Sequence, residues 1–215
     1  TYLGRRHSGD EAKYALNTAA TIFDRISFDM IYGLPKQSPR AWSEELEEAL
    51  EFTQEHLSVY QLTIEPGTAL FKKKTRATDE NIAADLFTLT RELLKEAGLP
   101  AYEVSNHARI GSEGRHSLSC WQGGDYIGIG PGAHGRLTCG SKFIATHQIH
   151  NPSRWLERVA SDGHGTGKRR HLDAHERAEE MVITGLRLAQ GLDVRHLENH
   201  TGLALAQVLD PDKIW

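Results

Sequence analysis

The chain has 215 residues, 39% of them hydrophobic, and its 25 Lys and Arg against 29 Asp and Glu give a formal charge of −4. This length allows one or two domains but excludes a complete (β/α)8 barrel, which needs about 250 residues. The charge balance argues against nucleic-acid binding, and the lack of a long apolar stretch argues against a membrane span.

The first half of the chain predicts alternating helices and strands. Apolar residues recur at helical spacing over 10–24, with Asp10 as the N-cap, and the apolar segment 26–32 predicts a strand. Further elements are a helix that starts after Ser38, a strand at 56–64, a helix at about 78–97 and a strand at 101–105. This alternation favours a parallel sheet, in which functional groups collect at the carboxyl ends of the strands.

The second half has a different character. Residues 106–150 are rich in Gly and His and predict loops and short strands, the last of them near 143–146. A short helix is predicted to start at Asn151, a linker is predicted at 162–167, and the remainder, 173–215, is predicted to be helical. We therefore expect two domains, 1–150 and 151–215.

Several residues suggest a site but leave alternatives open. Residues 128–133 match the glycine-rich phosphate fingerprint, but no helix is predicted after them, which disfavours a dinucleotide site. The pairs His171/His175 and His196/His200 have metal-binding spacing, yet solvent-facing histidines are the favoured interpretation. A planar ligand could contact the remaining candidates, which lie in or beside the glycine-rich segment: His107, His116, His134, Trp121 and Tyr126.

Asp29 is unusual because it lies inside an apolar predicted strand. An ionised carboxylate is costly there unless it is paired or faces the open end of a sheet. A buried capping or salt-bridge role and a functional role both remain possible on this pattern alone.

Five motifs in order give the chain a family resemblance. They are residues 29–35 (DMIYGLP), 62–68 (LTIEPGT), 102–106 (YEVSN), 116–121 (HSLSCW) and 126–135 (YIGIGPGAHG). Together they resemble the radical S-adenosylmethionine (SAM) family of oxygen-independent coproporphyrinogen III oxidases, and most closely its HemW-type haem chaperone branch. The resemblance runs from residue 2 to about residue 200.

The resemblance implies an α/β fold: the second half of a partial (β/α)6 radical SAM barrel, followed by a small, mostly helical C-terminal domain. It also implies SAM and a 4Fe-4S cluster as cofactors. The family holds the cluster with a CxxxCxxC motif, whereas this sequence has only Cys120 and Cys139. We therefore expect that the first half of the barrel has been lost and that this chain alone has no enzymatic activity.

The resemblance assigns roles to individual residues. Arg5 matches the arginine that pairs with the SAM carboxylate, Asp29 matches the acceptor for the SAM ribose, and Ile31 matches the residue that lines the adenine. Thr63 lies where a second strand end approaches SAM. His116 and Trp121 match the His and Trp of the haem-associated HNxxYW motif, with Ser and Cys in place of its Asn and Tyr. His116 is thus the expected haem-iron ligand and Trp121 is expected to flank the macrocycle.

The function implied is a haem chaperone that delivers haem to haem-dependent proteins. The alternative is an oxygen-independent coproporphyrinogen III oxidase, which decarboxylates its substrate oxidatively in porphyrin biosynthesis, and a remnant without activity is a third possibility. The expected partners are haem and haem-receiving proteins, and an open strand edge favours self-association. Two cysteines suit a reducing compartment, so we expect a cytoplasmic protein.

Overall fold

The computed structural model describes residues 3–209, and the chain divides into two compact units, Thr1–Gly114 and Arg115–Trp215. The first unit contains α1 (Gly9–Ile22), β1 (Ser27–Tyr32), α2 (Pro39–Leu50), β2 (His56–Gln61), α3 (Ala69–Lys72), α4 (Glu80–Glu96) and β3 (Asn106–Ala108). The second contains α5 (Arg115–Trp121), β4 (His134–Cys139), β5 (Lys142–Gln148), α6 (Pro152–Asp162), β6 (Thr166–Leu172), α7 (Ala174–Gly185), α8 (Val194–Thr201) and α9 (Leu205–Val208).

Side-chain caps fix where the helices of the first unit begin. Ser38 accepts a hydrogen bond from the Ala41 N–H and precedes a proline, as predicted. α1 begins earlier than predicted because Ser8, rather than Asp10, is its N-cap. The Ser8 hydroxyl accepts from the Glu11 N–H, and the Glu11 carboxylate accepts from the Ser8 N–H in return.

The sheet of the first unit has the order β1-β2-β3. β1 and β2 are parallel, as predicted, with Ser27 opposite His56 and Tyr32 opposite Gln61. The predicted strand at 101–105 is wrong: β3 starts at Asn106 and runs antiparallel to β2. The reason is Glu103, whose buried carboxylate accepts from the Ser105 N–H and from the Asn106 amide, each at 2.7 Å, and so folds this segment into a turn.

One face of this sheet packs against the helices. The buried residues of this core come from β1, β2, α2, α4 and the segment after α4: Tyr32, Trp42, Leu46, Leu57, Val59, Leu86, Leu94 and Leu99. The Trp42 indole N–H donates to the Thr90 hydroxyl at 2.8 Å, and that hydroxyl donates to the Leu86 carbonyl at 2.6 Å. The indole N–H of Trp42 and the hydroxyl of Thr90 are thereby satisfied within the core.

The second unit is built on an antiparallel sheet of order β4-β5-β6. The predicted linker at 162–167 is wrong, because Gly163 ends α6 in a left-handed conformation and Thr166 already begins β6. The division between units also differs from the predicted boundary after residue 150, which would separate the hydrogen-bonded strands β5 and β6. α5 lies in a segment where the sequence predicted only loops and strands.

The end of the second unit consists of the helices α7, α8 and α9 and the turns between them, in agreement with the mostly helical prediction for 173–215 as far as the structure describes it. Ala178, Met181, Val182 and Leu197 form its buried core. Within residues 3–209, no helix combines the length and the apolar character that crossing a membrane requires.

Candidate functional site

A polar face of the β1-β2 pair carries the predicted carboxylate. Side chains alternate between the two faces of a strand, so Ser27, Asp29 and Ile31 share the face opposite the core. Asp29 is exposed and lies opposite Ser58 of β2. Because Asp29 is exposed and forms no ion pair with any described residue, the buried capping or salt-bridge role considered for it is wrong.

The loop at the carboxyl end of β1 is held by a buried side chain that the sequence analysis did not single out. The Gln37 side-chain oxygen accepts from the Gly33 N–H at 2.8 Å and from the Leu34 N–H at 3.2 Å. Its amide donates to the Glu45 carboxylate at 3.1 Å, and burial raises the pKa of Glu45. Gly33 takes a φ of 80°, which explains a glycine at this turn. These hydrogen bonds tie the loop after β1 to the start of α2 and so fix its path.

A cavity of about 650 Å³ lies beside β1, between α1 and α2. Asp29 lines it together with His7, the apolar side of α1 and Phe28 and Met30 of β1. Of the predicted SAM residues, Asp29 and Ile31 lie on one strand face, and exposed Thr63 follows the carboxyl end of the neighbouring strand. Arg5 is exposed and lies two residues before His7. An exposed carboxylate and an exposed guanidinium are the groups that a ribose and an amino-acid carboxylate need.

A hydrogen-bonded relay lies at the opposite, amino end of the same strands. Ser27 Oγ is 2.6 Å from His56 Nδ1, and His56 Nε2 is 2.9 Å from the Tyr102 hydroxyl. Burial and the charge of Arg25 lower the pKa of His56, so its imidazole is neutral at pH 7. The sequence analysis missed this relay because the register of β1 and β2 joins Ser27 to His56, and the turn before β3 brings Tyr102 to them.

The predicted haem residues lie on α5 but do not share one pocket. They are five positions apart, which places them about 140° apart around a helix of about 3.6 residues per turn. His116 is exposed, with Nε2 3.8 Å from Cys120 Sγ. Trp121 lines a separate cavity of about 230 Å³, and the Arg187 guanidinium lies 4.5 Å from its ring centroid. This geometry does not fit a macrocycle held between the two residues, and the role of each stays a prediction.

His107, another predicted contact for a planar ligand, is 1% exposed. Neither ring nitrogen has a hydrogen-bond partner in the structure, and the residue lies in β3 beside the core strand β2. It is therefore inaccessible to a ligand.

The two cysteines do not fit an iron-sulfur cluster. Cys120 is in α5, Cys139 ends β4, and both are free thiols. Among the residues described, no three His, Cys, Asp or Glu side chains are arranged to hold a metal ion. The two thiols are therefore fewer than the ligands that a 4Fe-4S cluster needs.

The chain is similar in sequence to one family model and to several known proteins. The family model of the HemN C-terminal domain matches residues 172–214. Radical S-adenosyl methionine domain-containing protein 1, mitochondrial, from Mus musculus is 40% identical over 203 residues, which cover 90% of this chain and 46% of that protein. Heme chaperone HemW from Escherichia coli (strain K12) is 34% identical, covering 94% of this chain and 52% of the relative, and HemW from Haemophilus influenzae is 32% identical, covering 96% and 53%. The resemblance of this chain to the HemN and HemW group of radical SAM proteins is thereby confirmed.

The structural comparison agrees with this assignment. Coproporphyrinogen III oxidase (HemN) from Escherichia coli, described as a radical SAM enzyme, matches with a TM-score of 0.70 and 21% identity, covering 94% of this chain and 50% of that one. The predicted α/β radical SAM fold is thereby confirmed. This chain spans about half the length of the relatives it matches. Some relatives carry "mitochondrial" in their names, so the cytoplasmic location is not confirmed.

Proposed function

We propose that this chain is part of a haem chaperone that binds haem and delivers it to haem-dependent proteins. The observation that carries the proposal is the similarity to two proteins named heme chaperone HemW, at 32% and 34% identity along 96% and 94% of this chain. Candidate residues for contact with haem lie on α5.

His116 supports the proposal as the candidate iron ligand. Its imidazole is exposed on α5, whereas the neighbouring Cys120 is half-buried. Burial raises the pKa of the Cys120 thiol, so the thiolate, which would compete for iron, is disfavoured at neutral pH. An exposed imidazole is an ordinary axial ligand of haem iron.

We expect His116→Ala to shift the Soret band of the haem complex and to weaken haem binding by at least about tenfold, or about 1.4 kcal/mol. Spectrophotometric haem titration of the purified chain measures both. His171→Ala and His196→Ala, at two other exposed histidines, serve as controls and should leave the spectrum and affinity unchanged. An unchanged spectrum and affinity for His116→Ala would remove His116 as the ligand.

We also propose that Arg5, Asp29, Ile31 and Thr63 bind SAM. Bound SAM supplies the 5′-deoxyadenosyl group from which the family forms its radical, once an iron-sulfur cluster is present. The role of this chain is to hold SAM. Asp29 accepts hydrogen bonds from the ribose hydroxyls, Arg5 pairs with the SAM carboxylate, and Ile31 contacts the adenine.

Asp29→Ala should weaken SAM binding by about 1.5–3 kcal/mol, because it removes a charge-assisted hydrogen bond. The measurement is calorimetry on a protein that joins this chain to a CxxxCxxC cluster-binding segment. Asp24→Ala removes an exposed carboxylate from the same unit and is the matched control. Equal SAM affinities for the two variants would contradict the role of Asp29.

Coproporphyrinogen III oxidation is the second candidate, and the structural likeness to HemN favours it. One assay distinguishes the two functions, on the protein that joins this chain to a CxxxCxxC cluster-binding segment. An oxidase decarboxylates coproporphyrinogen III when SAM and a reductant are supplied, whereas a chaperone binds haem and leaves that substrate unchanged.

Self-association is a further proposal, and the edge of β1 supports it. β1 has a hydrogen-bonded neighbour on one side only within the described sheet, and α1 beside it has no buried residue. An open strand edge with apolar surface favours pairing with another chain. Analytical ultracentrifugation tests this expectation, and a monomer at all concentrations would contradict it.

A further inference from the structure

Four basic residues meet at one end of the second sheet, and we call them the basic cluster: His134, His147, His150 and Lys168. His134 of β4 lies opposite His147 of β5, and His147 lies opposite Lys168 of β6. Paired residues on neighbouring strands point to the same face. The His134 and His147 rings stack with centroids 4.2 Å apart, and the His150 ring meets His147 edge-on at 4.9 Å.

Cationic residues at the other end of this face have counter-charges, and the cluster does not. Arg136, two residues after His134, makes two hydrogen bonds of 2.8 Å to Glu180 of α7. Arg170, two residues after Lys168, pairs with Glu176 of the same helix. Among the described residues, no carboxylate forms an ion pair with any member of the basic cluster.

We propose that the basic cluster is a binding site for a small oxyanion, a phosphate or a carboxylate group. Basic groups that face one another without a counter-charge repel one another when they are protonated, and an anion between them offsets that repulsion. His134, His150 and Lys168 are exposed and accessible to such a ligand, while half-buried His147 lies between its strand neighbours, with its Nε2 lacking a hydrogen-bond partner.

The glycine-rich segment before β4 positions one member of the cluster. Gly132 has a φ of 72°, and its N–H donates to the Ile149 carbonyl at 3.0 Å. A Cβ atom at Gly132 would lie 2.8 Å from His150 Nδ1, so only glycine lets this imidazole pack so closely on the segment. Gly132→Ala should therefore displace His150 without removing a basic group.

Binding should depend on pH. Burial, followed by the charges of His134, His150 and Lys168, lowers the pKa of His147. His147 therefore takes up its proton only in acid. By linkage, an anion bound beside His147 favours its protonated form, and acid strengthens anion binding.

The test is a histidine NMR titration of the whole chain with inorganic phosphate in one arm and acetate in another, each at about pH 5.5 and about pH 7.5. We expect saturable shifts of the His134, His147 and His150 ring signals, with tighter binding at the lower pH. The arm that saturates identifies the oxyanion. This test requires neither haem nor SAM, so its result is independent of the proposed function.

Lys168→Gln should weaken binding by about fivefold, which corresponds to about 1 kcal/mol. Lys142→Gln, at an exposed lysine on β5 outside the cluster, is the matched control. Gly132→Ala should also weaken binding, and circular dichroism checks that each variant is folded. The proposal is overturned if neither anion gives saturable shifts of the cluster histidines, or if Lys168→Gln and Lys142→Gln have equal effects.

Discussion

Glu180→Gln is expected to lower the free energy of unfolding of the second unit by about 3 kcal/mol. Glu180 accepts two hydrogen bonds from Arg136 and lies 3.5 Å from Arg177, which is 4% exposed. Burial raises the pKa of Glu180, but the hydrogen bonds and charges of the two arginines outweigh it and lower the pKa overall. Without this carboxylate, the buried Arg177 charge keeps only its hydrogen bond to the Gly123 carbonyl and has no counter-charge. Removing one partner of a buried ion pair typically costs about 3–5 kcal/mol. We take the lower figure because Arg136 and Glu180 retain partial exposure.

Urea denaturation, with hydrogen exchange of the α7 amides as the readout, measures the loss of unfolding free energy in the second unit. Glu179→Gln is the matched control: Glu179 is exposed on the same helix, and its ion pair is with the exposed His175. We expect a loss below about 0.5 kcal/mol for the control, as is usual for surface substitutions. Equal losses for the two variants would show that the Arg136-Glu180-Arg177 network does not stabilise the unit.

Acid should destabilise the first unit through His107. Burial, with a smaller effect of the Arg91 charge, lowers the pKa of His107 from 6.5 to about 4. The unfolded chain therefore binds this proton more readily than the folded chain. The unfolding free energy is fully retained above about pH 6.5 and falls as the pH decreases toward 4, by about 3 kcal/mol in total.

Hydrogen exchange of the β2 and β3 amides between about pH 7 and about pH 4, corrected for the intrinsic exchange rate, measures this loss. His107→Leu should remove most of the pH dependence, because the unfolded chain then no longer gains this proton. Some acid sensitivity should remain, since burial and Arg25 also lower the pKa of His56. His7→Gln, at an exposed histidine, is the control, and the same pH dependence in His107→Leu and His7→Gln would contradict the account.

Local signals in the sequence predicted most helices and the parallel strand pair. Ser38 and Pro39 mark a helix start through groups close in the chain, so α2 was placed correctly. The wrong predictions concern segments whose secondary structure is set by side-chain hydrogen bonds or by contacts between residues distant in sequence. The segment 101–105 has the composition of a strand, but the Glu103 carboxylate binds backbone and side-chain donors two and three residues ahead and turns the chain.

In the candidate site, too, local sequence predicted some features and distant contacts decided the others. A period of two along β1 is enough to place Asp29 and Ile31 on one face. The Ser27-His56-Tyr102 relay depends on how distant segments are brought together in the sheet. The hydrogen bonds of Gln37 depend on the path of the loop after β1. Neither follows from sequence spacing. The haem pair illustrates the opposite case: the motif places His116 and Trp121 close in sequence, yet the turn of α5 directs them apart.

Haem transfer tests the central proposal most directly. The purified chain is titrated with haem, separated from free haem, and mixed with an apoprotein that takes up haem, while the Soret band reports which protein carries it. A haem chaperone gives saturable binding with one spectral form, followed by movement of the haem to the apoprotein at a rate that depends on the apoprotein concentration. Failure of the chain to bind haem saturably, or a transfer rate equal to that of free haem, would contradict the proposal.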